Sequence, residues 1–147
     1  WGPRIDDGGG GFWLGRQACL HVARMLDGRG PDTLLIRPVA AYVRANADDP
    51  ASVRDGLRRT SIDGVARLGA AVLTYADEGD AVARAIRNEG ADLLAELLRT
   101  IDPTDGEPIT AYGSLWSNAS YVEEVTRRLG RPLPILDDLI EAVARTL

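Results

Sequence analysis

The sequence contains no lysine, and only one histidine and one phenylalanine occur among its 147 residues. Without lysine, all 17 basic residues are arginines, and 22 acidic residues bring the formal net charge to −5. The arginines are scattered among acidic residues instead of forming one basic stripe. Because nucleic-acid binding needs clustered positive charge, we expect no nucleic-acid partner. The frequent arginine and alanine are typical of a GC-rich bacterial genome.

Cysteine is also scarce, and long apolar runs are missing. Cys19 is the only cysteine, which excludes an intrachain disulfide and a cysteine-built metal or iron–sulfur site within one chain. No segment approaches the roughly 18 apolar residues that span a bilayer. No charged segment followed by an apolar one marks a secretory signal. We therefore expect a cytoplasmic protein without a membrane partner.

What is present is the composition of a mostly helical globular domain. With 45% hydrophobic and 27% charged residues, residues 1–147 are expected to form a single domain with its own core. Apolar residues recur at steps of three and four over most of the chain, which predicts helices. These are 12–26, 31–45 with a kink or a break into two short helices at Pro38, 51–59, 62–76 with Ser61 as N-cap, a helix from Asp80 to Arg99, 119–129, and a last helix from Asp137 or Asp138 to Leu147.

Strand character is confined to two short stretches. β-branched and aromatic residues at about Ile109 to Tyr112 follow a Pro-Thr-Asp-Gly turn, and Leu133 to Ile135 is a short extended segment. The whole pattern predicts a strongly α-rich α/β fold with five to seven helices and one to three strands.

A glycine run near the start of the chain is the first candidate site. Asp6 and Asp7 precede Gly8–Gly11, which lead into the aromatic pair Phe12 and Trp13. Glycines allow a backbone to approach a ligand, and the following helix N-terminus offers free N–H groups. A carboxylate here would accept hydrogen bonds from a polyol or orient a metal-bound water. The alternative is a mobile surface linker, although linkers seldom carry large aromatic residues.

A second candidate site follows the first predicted strand. Gly113 and Ser114 end this strand before a capped helix begins at Ala119. Ligands of open α/β sheets bind beyond the carboxyl ends of strands, so this turn is a candidate nucleotide contact. The alternative is a plain strand-to-helix turn. Trp116 and Tyr121 are expected to pack in the core.

Two other polar features favour structural roles. Asp77, Glu78 and Asp80 lie at a junction between helices, where acidic residues favour the following helix N-terminus without any metal. His21 lies on or beside an apolar helix stripe and has no evident partner for base catalysis. We therefore predict no metal site.

The glycine run resembles a known family. The order Trp1-Gly2-Pro3-x-x-x-Asp7-x-Gly9-x-Gly11-Phe12-Trp13-Leu14-Gly15 is similar to a loop of N-acetylglucosamine kinases in the BadF/BadG-type ATPase family. The resemblance implies that Asp7 holds sugar hydroxyls. The chain departs from the family at three positions, since Asp6 replaces Gly, Gly8 replaces Glu and Gly10 replaces Ser.

The resemblance extends along nearly the whole chain. Ala76–Asp80 matches a family Ala-x-x-Gly-Asp pattern, and Gly113-Ser114 resembles the family's adenosine loop, which implies nucleotide contacts at both residues. The start of the last predicted helix departs from the family, because residues around Asp138 are bulkier than the usual Gly-Ala. The implied fold is the later part of the C-terminal lobe of an actin-like (ribonuclease H-like) ATPase.

The implied function is phosphoryl transfer in carbohydrate metabolism. The parent is expected to be an ATP-dependent kinase of N-acetylglucosamine or a related amino sugar, with ATP and Mg²⁺ as its cofactors. In the family, both phosphate loops and the catalytic Asp belong to the part that would precede Trp1, so no catalytic residue is expected in residues 1–147. Without these elements the chain alone should not transfer phosphate.

A rival interpretation is a degenerate relative without activity, acting as a sugar-sensing or protein-interaction module. Gly8 and Gly10, which replace the family's Glu and Ser, favour it. Because core strands of the lobe would also precede Trp1, we expect an exposed apolar face that promotes self-association, for example as a homodimer.

Overall fold

Helices form most of the fold. The computed structural model describes residues 5–101 and 109–136. Within these ranges the elements are α1 (Gly11–Leu26), α2 (Ile36–Tyr42), α3 (Pro50–Arg59), a 3-10 turn (Val65–Arg67), α4 (Leu68–Asp77), α5 (Ala81–Ile101), β1 (Ala111–Tyr112), a second 3-10 turn (Ser114–Ser117), α6 (Ala119–Leu129) and β2 (Ile135–Leu136). Six α-helices and two short strands in the described ranges confirm the prediction of a helix-rich fold.

The core lies where α1 packs against α4 and α5, and where α5 packs against α4 and α6. Of the predicted apolar stripe of α1, Leu14, Ala18 and Val22 are buried, whereas His21 and Met25 are half-buried. Each fully buried Leu or Val side chain stabilises the fold by about 1.5–3 kcal/mol relative to its exposed state. The two strands pair in parallel, with Ala111 opposite Ile135, and lie at the edge of this helical core.

The predicted helical segment 31–45, either kinked at Pro38 or divided into two short helices, is wrong. Residues before Ile36 form turns, and α2 is a single short helix. Pro38 lies in its first turn, where its missing N–H has no intrahelical acceptor to lose. The Leu34 carbonyl, which an interior proline would leave unpaired, accepts from the Arg37 N–H at 3.0 Å.

The predicted N-cap at Ser61 is also wrong. The Ser61 hydroxyl accepts from the Asp63 N–H at 3.1 Å and donates to the Asp63 carboxylate at 2.8 Å, which closes a local turn. Gly64 then takes a left-handed conformation with φ of 82°. A helix cannot pass through this residue, so the chain forms a 3-10 turn first and α4 begins at Leu68.

Asp80 caps α5 as predicted, and it also joins two distant parts of the chain. Its carboxylate accepts from the Ala83 N–H at 2.8 Å, which satisfies one free donor of the helix start. It further accepts from the Thr33 hydroxyl at 3.0 Å and the Leu34 N–H at 2.7 Å. The carboxylate therefore fixes the turn before α2 to the start of α5.

Asp77 at this junction has structural partners too. Asp77 accepts from Arg87 at 3.1 Å and from the side-chain amide of Asn118 at 2.8 Å. In the described ranges, no group of three or more His, Cys, Asp or Glu side chains is arranged to hold a metal ion. The hydrogen bonds of Asp77 and Asp80 therefore support the structural interpretation of the acidic run.

The C-terminal elements largely follow the sequence pattern. Asn118 caps α6 through the Tyr121 N–H, and Gly130 ends the helix with φ of 82°. Each strand is only two residues long, shorter than predicted. The predicted last helix from Asp137 or Asp138 lies outside the described residues. None of the described helices has the length and apolar character needed to span a membrane.

The predicted exposed apolar face is not tested by a single chain. The large apolar side chains that are most exposed among the described residues are Ile5, Ile62 and Ile101. Self-association through an apolar face therefore stays a prediction.

The role of Asp80 gives a first testable prediction. Asp80→Ala removes the helix cap and leaves the buried Thr33 hydroxyl without its acceptor, so we expect a loss of about 2–4 kcal/mol in the free energy of unfolding. Asp49→Ala is the matched control, because Asp49 caps α3 through the Ala51 and Ser52 N–H groups alone. It should cost about 1 kcal/mol. Urea denaturation measures both, and equal losses would contradict the joining role of Asp80.

Candidate functional site

The glycine loop, Asp6–Gly11, is a tight turn that leads into α1. The Gly8 N–H donates to the Asp6 carboxylate at 3.2 Å, and the Gly10 N–H donates to the Asp7 carbonyl at 2.8 Å. The Leu14 N–H then donates to the Gly10 carbonyl at 2.9 Å and begins the helix. These bonds fix the direction in which the two carboxylates leave the loop.

The glycine loop is packed against α5 and α4. Gly9 is buried and has φ of 79°. A Cβ on Gly9 would overlap the Gly90 carbonyl oxygen and lie 2.5 Å from Leu94 Cγ. On α4, a Cβ on Gly69 would lie 3.0 Å from Gly11 Cα. The glycines are therefore needed for close backbone approach, and the interpretation as a mobile linker is wrong.

Tyr121 holds this loop from the other side. Its side chain is fully buried, and its hydroxyl donates to the Gly9 carbonyl at 2.7 Å. Burial raises the pKa of the Tyr121 hydroxyl far above its ordinary value, so this group remains a donor. The Trp116 ring stacks on the Tyr121 ring with centroids 6.0 Å apart. The predicted core position of Tyr121 is confirmed, whereas its bond to the loop had no signal in the sequence.

One cleft lies beside the carboxylates of the loop. This carboxylate cleft has a volume of about 540 Å³ and is lined by Asp6, Asp7, Gly8, Gly10, Leu93, Leu94, Glu96, Leu97 and Thr100. It contains three acidic side chains and no basic one among the described residues. Glu96 was not predicted as a site residue, because on the sequence it is an ordinary polar position of α5.

Asp6 and Asp7 are not equivalent in this cleft. The Asp6 carboxylate accepts the Gly8 N–H, whereas no described residue donates a hydrogen bond to the Asp7 carboxylate. The Asp7 carboxylate lies against Gly10, so close that a Cβ there would overlap its oxygens. Asp7 therefore has acceptor capacity for a ligand, and the missing side chain at Gly10 makes room for its carboxylate.

A second cleft lies on the opposite side of the loop. This glycine cleft has a volume of about 370 Å³ and is lined by Gly9, Gly10, Gly11, Ala66, Arg67, Ala70, Leu94, Tyr112, Gly113, Ser114, Leu115 and Trp116. It brings Gly113 and Ser114, predicted from the second stretch, next to the glycine loop. Gly10 and Leu94 line both clefts and form the wall between them.

The charges of the two clefts are opposite in sign. Arg67 is the one charged side chain that the described residues contribute to the glycine cleft. It follows Gly64 in the 3-10 turn that replaced the predicted start of a helix, so no local pattern indicated this position. A cleft with an arginine attracts an anionic ligand, whereas the carboxylate cleft repels one.

Two titratable residues of α1 lie outside both clefts. Burial raises the pKa of the Cys19 thiol to about 11, which keeps the thiol protonated and unreactive. Burial and the nearby Arg24 lower the pKa of His21. Neither residue lines the carboxylate cleft or the glycine cleft. This placement of His21 is consistent with the predicted packing role.

Comparisons with known proteins support a sugar-kinase-like fold. No protein-family model and no curated protein matches the sequence. Among solved structures, the chain is similar to a candidate N-acetylglucosamine kinase from Chromobacterium violaceum, with 26% sequence identity and a TM-score of 0.68. The alignment covers 87% of this chain and 44% of the other, so this chain spans less than half the length of that relative.

The tight packing of the glycine loop predicts that an alanine destabilises the fold more at Gly9 than at a glycine with open space around it. Gly9→Ala adds a Cβ to a left-handed residue and against the Gly90 carbonyl, so we expect it to lower the free energy of unfolding by about 2–4 kcal/mol. Gly28→Ala is the matched control, since Gly28 has φ of 69° and open space around its Cα. Its cost should be about 1 kcal/mol. Similar losses in urea denaturation would refute the close contact.

The buried hydroxyl of Tyr121 gives a further prediction. Tyr121→Phe leaves the Gly9 carbonyl without its donor, which should cost about 1–3 kcal/mol of stability. Tyr42→Phe provides the comparison, because the Tyr42 hydroxyl donates to the Ser61 carbonyl at 2.6 Å on the exposed side of the fold. Water replaces that donor, so the loss should be under about 1 kcal/mol. A larger loss at Tyr42 in urea denaturation would contradict the role given to Tyr121.

Proposed function

We propose that this chain is the later part of the C-terminal lobe of an ATP-dependent kinase of N-acetylglucosamine or a related amino sugar. One observation carries the proposal. The two stretches that the sequence singled out for sugar and adenosine line adjacent clefts that share the wall made by Gly10 and Leu94. The similarity to a candidate N-acetylglucosamine kinase supports it.

In this proposal the carboxylate cleft holds the sugar. The Asp7 carboxylate accepts hydrogen bonds from sugar hydroxyls, which are charge-assisted and directional. Leu93 and Leu97 supply apolar surface for the sugar ring. The negative charges of Asp6, Asp7 and Glu96 favour a neutral hydroxylated ligand over a phosphorylated one.

The glycine cleft would hold the adenosine part of ATP. Its volume of about 370 Å³ is within the range of small-molecule pockets. Its walls combine backbone at Gly113 with apolar surface at Leu115 and Trp116, which suits a nucleoside. Arg67 adds the positive charge that a phosphate chain requires.

ATP would supply the phosphoryl group, and Mg²⁺ would neutralise its phosphates when bound. Mg²⁺ is usually held by phosphate oxygens and one or two carboxylates, so a dedicated cluster of ligands in this chain is not required. The proposal assigns the phosphate loops and the catalytic Asp to the preceding part of the parent protein. The contribution of this chain is to hold and orient both substrates.

A second function, a sugar-sensing or interaction module without activity, is favoured by the geometry at Gly8 and Gly10. A Cβ on Gly8 would lie 3.1 Å from Leu93 Cβ, and one on Gly10 would overlap the Asp7 carboxylate. A side chain at Gly8 or Gly10, such as the Glu and Ser that the resembling family carries, would therefore crowd the loop as it is placed here. Sugar binding without ATP-dependent phosphorylation by the full-length gene product would establish this alternative.

Reading the coding sequence upstream of Trp1 is a simple way to distinguish the kinase from the module without activity. An Asp-x-Gly-Gly-Thr-like loop and a Gly-Thr-Gly-Ser-like loop there would favour the kinase. A stop codon or an unrelated domain would favour the rival function.

The sugar contact is tested by comparing the two adjacent carboxylates in the full-length gene product. Asp7→Asn should weaken N-acetylglucosamine binding about tenfold or more, since charge-assisted hydrogen bonds contribute roughly 1.5–3 kcal/mol each. Asp6→Asn is the matched control and should change the binding free energy by about 0.5 kcal/mol or less. Isothermal titration calorimetry measures both. Equal affinities, or a larger loss at Asp6, would overturn the assignment of Asp7.

A further inference from the structure

Arg44 occupies a backbone conformation that usually belongs to glycine. Of the described residues with positive φ, Arg44 is the one that is not glycine, with φ of 57°. It follows the end of α2, where the Arg44 N–H donates to the Ala41 carbonyl at 3.2 Å and the Ala45 N–H donates to the Ala40 carbonyl at 2.9 Å. This bond pattern is the Schellman motif, in which glycine is strongly preferred at this position. Because strained residues cluster at functional sites, the Arg44 side chain is a candidate functional group.

Arg44 lines a third cleft, which shares Arg67 with the glycine cleft but is otherwise not used by the proposed kinase function. This arginine cleft has a volume of about 850 Å³ and lies between α2 and the segment from Thr60 to Leu68. Arg44 and Arg67 both line it, and Thr60 contributes a hydroxyl. Among the described residues, no ion-pair or hydrogen-bond partner is present for either guanidinium group.

The wall of the arginine cleft is already ordered. The Tyr42 hydroxyl donates to the carbonyls of Ser61 and Asp63 at 2.6 and 3.2 Å. The Asp63 carboxylate, which also lines the cleft, accepts the Ser61 hydroxyl at 2.8 Å. With two arginines and one aspartate, the charged groups of the described lining sum to +1. A ligand with negative charge would therefore gain attraction without a large rearrangement of the loop.

We propose that the arginine cleft binds a small phosphorylated molecule, with its phosphate group between Arg44 and Arg67. Guanidinium groups donate paired hydrogen bonds that match the oxygens of a phosphate. The net charge of +1 in the described lining partly neutralises the charge of about −2 that a phosphate monoester carries near pH 7. The Thr60 hydroxyl is a further donor. The strain at Arg44 is then explained, because glycine would satisfy the backbone but provide no guanidinium group.

Arg44→Gly tests this site without the usual risk of unfolding. Glycine suits the left-handed position, so the melting temperature of the variant should equal or exceed that of the natural chain. Its affinity for glucose 6-phosphate and for inorganic phosphate, used as probes in calorimetric titrations, should fall at least about tenfold. Arg67→Gln should lose a similar factor. Arg37→Gln is the control, since Arg37 is an exposed arginine of α2 that does not line the cleft.

Each contrary result identifies an error in the proposal. Saturable phosphate binding that survives Arg44→Gly, or no saturable binding to the natural chain, would overturn it. A loss confined to Arg67→Gln would assign the phosphate to the glycine cleft, which Arg67 lines and Arg44 does not. Citrate binding as tight as that of glucose 6-phosphate would refute the choice of phosphate over carboxylate. Because these titrations need neither N-acetylglucosamine nor phosphoryl transfer, failure of the proposed kinase function leaves their outcome unaffected.

Discussion

The close approach of the glycine loop to α5 is the contact on which the candidate site depends. Gly9 and Gly90 face each other without side chains, and a Cβ on Gly90 would lie 3.3 Å from Gly9 Cα and 3.1 Å from the Tyr121 hydroxyl. The Tyr121 hydroxyl satisfies the Gly9 carbonyl at the same point. The glycine loop, α5 and α6, which are far apart in the chain, therefore meet at this contact. Any side chain added there would push the loop away from the helix and change both adjacent clefts.

Much of the helical framework was predictable because its signals are local. The bounds of α1 and α6 were predicted to within one residue from apolar periodicity and flanking capping residues. Pro38 and Ser61 misled the prediction because each has two common uses. A proline suits a first helical turn as well as a kink, and a serine closes a short turn as readily as it caps a helix. Only the placement of Leu34 and Gly64 decides between these uses.

The candidate site was predictable only where residues near each other in sequence carry the pattern. Asp7, Gly113 and Ser114 were singled out from short motifs, and the structure places them on two adjacent clefts. Glu96 and Arg67 were missed because their positions depend on the packing of helices. The bond between Tyr121 and Gly9 joins residues 112 positions apart, and no local pattern specifies which carbonyl a buried tyrosine will reach.

The wall shared by the carboxylate and glycine clefts has a consequence for energetics. At Gly10 this wall has no side chain, and Leu94 is the other residue that lines both clefts. An occupant of one cleft that moves the wall changes the volume available in the other. Thermodynamic linkage then requires that the factor by which the first ligand alters the affinity of the second equals the factor in the reverse direction. Ligands bound on the two sides of Gly10 would then be heterotropically coupled.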